Sequence, residues 1–183
     1  SASALAAPTE VAGSDFGATI SLSAQQTDNA LKTQTDELSE QQNQLMASAF
    51  AQYNNEYIAL NSDYSVSQMR YEKDSQEART TTIGKTDFVL GKPHNPFDLK
   101  ISHSLQKLPK SSAALELESN TDEKQILSVQ PGFRTRITGA DNFFINANAT
   151  EVEYRFEEQK NSSRVGGSMG VIHAFSAVDS LSV

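Results

Sequence analysis

Met46-Ala-Ser-Ala-Phe50-Ala-Gln-Tyr53-Asn-Asn-Glu-Tyr57-Ile-Ala-Leu60-Asn-Ser-Asp-Tyr64 is the stretch on which the reading of the fold turns. Its large side chains Met46, Phe50, Tyr53, Tyr57, Leu60 and Tyr64 are spaced 4, 3, 4, 3 and 4 residues apart. That alternation places a narrow stripe along one side of an α-helix. Upstream, Leu31, Leu38 and Leu45 recur every seven residues, with the polar Thr35 and Gln42 between them. Neither glycine nor proline occurs between Gly17 and Gly84, so the usual punctuation of turns is missing there. These features predict a helix from about Gln25 to Leu60, roughly 54 Å long at about 1.5 Å per residue. Asn61-Ser-Asp63 then either caps a second helix reaching about Ala78, giving a helical hairpin, or Tyr64 and Tyr71 continue a single rod.

The remaining chain reads differently. From Gly84 onward come seven glycines and four prolines, set between runs that alternate apolar and polar residues. Ala113 to Glu118 and Gln125 to Val129 read as strands, and Pro131-Gly132 as a type II turn leading out through Phe133, Thr135 and Ile137. Gly139 to Asn142 turns into Phe143, Ile145, Ala147 and Ala149. After Thr150 the segment Glu151 to Glu157 alternates again, and residues 98–108 and 168–183 add further strands. The expected fold class is therefore α+β. A long N-terminal helix or helical hairpin precedes an antiparallel β-sandwich or partly open barrel of about seven or eight strands. The expected organisation is an extended arm over residues 1–23, a helical oligomerisation segment over 24–80 and a β domain over 81–183.

Charge divides at the same place. Residues 1–80 hold 11 acids and 4 bases, whereas residues 81–183 hold 12 and 11, making up the overall charge of −8. This balance opposes nucleic-acid phosphates and anionic lipid heads, so neither nucleic acid nor membrane is expected as a partner. With no cysteine, thiolate metal sites, disulfides and cysteine nucleophiles are excluded. The histidines, His94, His103 and His173, lack the close spacing of a zinc motif. His103 falls in register with Leu99, Ile101 and Leu105, and His173 with Val171 and Phe175, as half-buried strand residues do. His94 sits in the Pro-bounded loop Lys92-Pro-His-Asn-Pro96. Gly166-Gly-Ser-Met-Gly170 lacks a Walker lysine and reads as a flexible loop. No catalytic residue, cofactor site or metal site is assigned.

The function expected from the sequence is a non-enzymatic assembly subunit of a larger particle, a virion component or extracellular appendage. Protein partners, either further copies of the chain or other subunits, would cover the stripe Met46, Phe50, Tyr53, Tyr57, Leu60 and Tyr64. The alternative is a secreted protein that engages a ligand or a membrane, pore formation included. For that reading the alternation from Ser168 to Val183 would line an amphipathic hairpin.

Overall fold

The computed structural model describes residues 13–28, 39–73, 75–91, 95–110, 120–174 and 180–182. Those residues form strands β1 (Gly13–Thr27), β2 (Glu40–Asn54), β3 (Ile58–Tyr71), β4 (Arg79–Leu90), β5 (Phe97–Pro109), β6 (Thr121–Arg136), β7 (Asp141–Tyr154), β8 (Ser162–Ala174) and the short β9 (Ser180–Ser182). Each strand pairs antiparallel with the next, so a single sheet runs from β1 to β9 in chain order. One turn of 3₁₀ helix, Glu158–Lys160, lies between β7 and β8.

The α+β expectation is thereby corrected: no α-helix occurs among the described residues, and β2 and the start of β3 occupy most of the described part of the predicted helix. The reason is visible in the turn between them. Asn55 Oδ1 accepts from the backbone N–H of Tyr57 at 2.8 Å and of Ile58 at 2.7 Å, and Asn55 N–H donates to Ile58 O at 2.8 Å. An asparagine reverses the chain here without glycine or proline. The 4-3-4-3 spacing is thus two strand patterns joined across a turn. On either side the two-residue period is regular: Phe16, Ala18, Ile20 and Leu22 in β1, and Leu45, Ala47, Ala49, Ala51 and Tyr53 in β2. Alanine and glutamine favour helices intrinsically, but ladder bonds on both sides of β2 outweigh that preference.

Four further expectations change. Pro131-Gly132 is not a hairpin turn, because β6 continues through it, with Leu99 opposite Pro131 and Asp98 opposite Gly132 on β5. The β6–β7 ladder skips Gln130 and Pro131, where proline has no N–H to donate. Gly166 to Gly170 lies inside β8 and is not a loop. The boundary near residue 80 is crossed by the β3–β4 ladder, which pairs Met69 with Arg79 and Tyr64 with Gly84. The sandwich or barrel becomes one open layer, to which residues 81–183 contribute β4's remainder and β5 to β9. The strand expected at Ala113 to Glu118 and the residue His94 lie outside the described residues.

A single layer buries little. Among the described residues Tyr71 alone is a buried large hydrophobic side chain, and eighteen large hydrophobic residues are exposed. Among the described residues nothing is packed over the apolar face of the sheet.

Candidate functional site

The register assigns every strand residue to one of two faces, because partners across an antiparallel ladder point the same way. One face carries Phe16, Ile20, Leu22, Leu45, Tyr53, Val66, Leu99, Ile101, Val129, Phe143, Ile145 and Val165. The other carries Asp15, Gln44, Asn61, Asp63, Lys85, Asp87, Lys100, Ser102, Gln130, Asn146 and Arg164. Of the eighteen exposed large hydrophobic residues, twelve belong to the first face and only Met46, Phe50 and Ile83 to the second. The sheet is therefore strongly two-sided.

The boundaries of the apolar face are straight. Its lower edge runs through Phe16, Tyr53, Ile58, Leu90, Phe97, Phe133, Phe143 and Val171, one residue from each of β1 to β8. Five of these eight are aromatic, so this edge is an aromatic line. Its upper edge runs through Leu22, Leu45, Val66, Gly84, Leu105, Leu127, Ala149 and Val165. Just above it the same face turns polar with Asn43, Gln68, Thr82, Lys107, Gln125, Glu151 and Ser163. The register line Ser14–Tyr53–Leu60–Phe88–Ile101–Val129–Ala149–Val165 runs perpendicular to the strands. It passes below the apolar segment of β1 but meets the top of that of β8. The band thus climbs slightly more than one residue per strand. At about 3.3 Å per residue and about 4.8 Å between strands, the strands are inclined about 38° to the normal of the band. Its height is about 16–21 Å between terminal Cα positions at that inclination, to which the side chains add several ångströms.

Connections sort by edge. Above the band they span residues 28–39, 72–78, 110–120 and 155–161, between 7 and 12 residues each. Below it, on the aromatic side, they span 55–57, 91–96, 137–140 and 175–179, between 3 and 6 residues. Two buried carboxylates organise the long-loop side. Asp122, 1% exposed, accepts the backbone N–H groups of Glu123 at 2.7 Å, Phe156 at 3.0 Å and Glu157 at 3.1 Å. Glu40, also 1% exposed, accepts the Lys73 N–H, and the Lys73 ammonium donates to Ser39 O at 2.6 Å. Each ties one connection to the next. Beside Asp122, Glu123 pairs with Arg155 at 2.9 Å and Arg79 at 3.6 Å, and Arg79, Lys110 and Arg155 all stand within 5.3 Å of the Phe156 ring centroid. Lys160 is held protonated to higher pH than usual by its hydrogen bond to Glu157 at 2.6 Å.

Two recesses open along the sheet. One of about 560 Å³ is lined by Asp15, Gln52, Asn54, Asn61 and Asp87 together with Tyr53, Leu60 and Val89, and another of about 200 Å³ by Asp87, Lys100, Ser102, Ser128 and Gln130 together with Phe88, Val89 and Ile101. The polar side chains among them belong to the polar face. At the depth of the middle of the apolar band this face presents Asp63, Lys85, Asp87 and Lys100, all exposed. The apolar face has one polar interruption, which satisfies itself. Ser62 and Thr86 hydroxyls share a hydrogen bond at 2.8 Å, Thr86 Oγ1 donates to Tyr64 OH at 3.2 Å, and Tyr64 OH meets His103 Nδ1 at 2.5 Å.

The six residues singled out from the sequence are separated by this geometry. Met46 and Phe50 lie on the polar face, Tyr53, Leu60 and Tyr64 on the apolar face, and Tyr57 in the β2–β3 turn. They make no common stripe. The band itself escaped the sequence reading, though its signal, alternation over long segments punctuated by alanine, was present in β1 and β2. Comparison with protein-family models, curated proteins and solved structures finds no match for this chain.

Proposed function

We propose that the chain is a wall of a membrane-spanning β-barrel, with the apolar face toward lipid and the polar face lining a water-filled interior. The observation that carries this reading is the depth coincidence. Leu99, Ile101 and Val129 cover one side of the sheet where Asp63, Lys85, Asp87 and Lys100 stand on the other. A soluble sandwich or ligand-binding barrel turns its apolar side chains inward, away from water; here the large side chains of the apolar face are exposed among the described residues. Membrane barrels have strands inclined about 35–45°, an apolar band about 25 Å tall, aromatic girdles, a polar interior and short turns on one side with longer loops on the other. Three of these agree with the inclination, the aromatic edge and the lengths of chain between strands found here. That no helix among the described residues is long and apolar enough to cross a membrane says nothing on this point, since barrels cross with strands.

This is the membrane-engaging alternative of the sequence reading, and it retains the non-enzymatic, assembling character of the leading one. The outer edge of β1, and that of β8 before Ile172, carry no strand partner among the described residues. In hydrocarbon each unpaired backbone group costs several kcal/mol, so the wall closes through further strands.

The chain contains no tryptophan, which makes the test direct. Single tryptophans at Leu99, Lys100, Ile101 and Ser102 are read in vesicles containing brominated acyl chains. Strong quenching at Leu99→Trp and Ile101→Trp, with little at Lys100→Trp and Ser102→Trp, is expected. Quenching without alternation, or none, would reject the reading.

A further inference from the structure

We draw no further inference here: the strongest candidate, the hydrogen-bonded cluster of Ser62, Tyr64, Thr86 and His103 on the apolar face across β3, β4 and β5, closes its bonds within itself, and nothing in the structure shows what covers it.

Discussion

Individual side chains of this sheet do their work through near neighbours, because among the described residues no second layer stands behind them. Phe50 lies across Gly17 on the adjacent strand, where an added Cβ would meet the ring at 2.5 Å. Tyr64 covers Gly84 in the same way on the opposite face, where a Cβ would also meet the Asp63 carbonyl. Gly84→Val should therefore destabilise the sheet by about 1–3 kcal/mol through overpacking, measured as a shift of the urea midpoint. Asp141 offers a titration. It stands below the aromatic edge, outside the apolar band, where the Thr138 hydroxyl donates to Oδ2 at 2.5 Å and His173 Nδ1 meets Oδ1 at 2.6 Å. Those two contacts hold its carboxyl below the usual carboxylate range. A depressed folded-state pKa contributes stability that is present above the unfolded value, about 3.9, and is lost as pH falls through the folded value. The stability difference between the native chain and Asp141→Asn is accordingly expected to be constant near neutrality and to shrink below about pH 4. A difference that grows on acidification would contradict this assignment.

At the scale of the strand, face and depth decide what a substitution costs. Ile101 lies at mid-height of the band on β5, Leu105 at its upper edge and Ser102 on the polar face. In vesicles Ile101→Arg should cost about 2–4 kcal/mol, Leu105→Arg about 0–1 kcal/mol, and Ser102→Arg less than the first. Equal costs at Ile101 and Ser102 would mean that both faces meet the same medium. The long-loop connections hang on their buried carboxylates. Asp122→Ala removes the acceptor for three backbone N–H groups and should cost about 1–3 kcal/mol, with faster hydrogen exchange at Phe156 and Glu157. Strand alternation at Phe97 to Leu105 and Phe143 to Ala149 was legible in the sequence, because every second side chain is apolar. The β2–β3 pair was not. Asn55 makes its turn without glycine or proline, and the seam Met46, Phe50, Tyr53 has a helical spacing that the turn then divides between two faces.

At the scale of the whole molecule, the described residues form one open sheet with unequal edges, and its behaviour in bulk follows from that. In water the twelve exposed hydrophobic residues of one face invite association, whereas detergent or lipid covers them without ordering any new backbone. Purified in detergent, the chain is expected to keep its strand circular dichroism. Dilution into detergent-free buffer should give self-association seen by light scattering. A monodisperse monomer in plain buffer would remove the need for an apolar environment. If further strands close the outer edge of β1 and that of β8 before Ile172, which carry no strand partner among the described residues, amide protection there is expected only in the assembled state.

What the sequence by itself determined is local: the two-residue alternation of the C-terminal strands, the absence of thiol chemistry and the acidic balance follow from residue types and their spacing. What only the tertiary structure decided is which residues share a face. The stripe from Met46 to Tyr64 looked continuous because spacing along the chain carries no information about where the chain reverses. The straight, inclined band exists only after eight strands are set in register. Each strand contributes a short apolar segment displaced by about one residue from the last, a displacement too small to see in any one segment. Summed across the sheet by the hydrogen-bonded ladders, it gives the inclination of about 38° and places Asp87 and Lys100 behind Leu99 and Ile101.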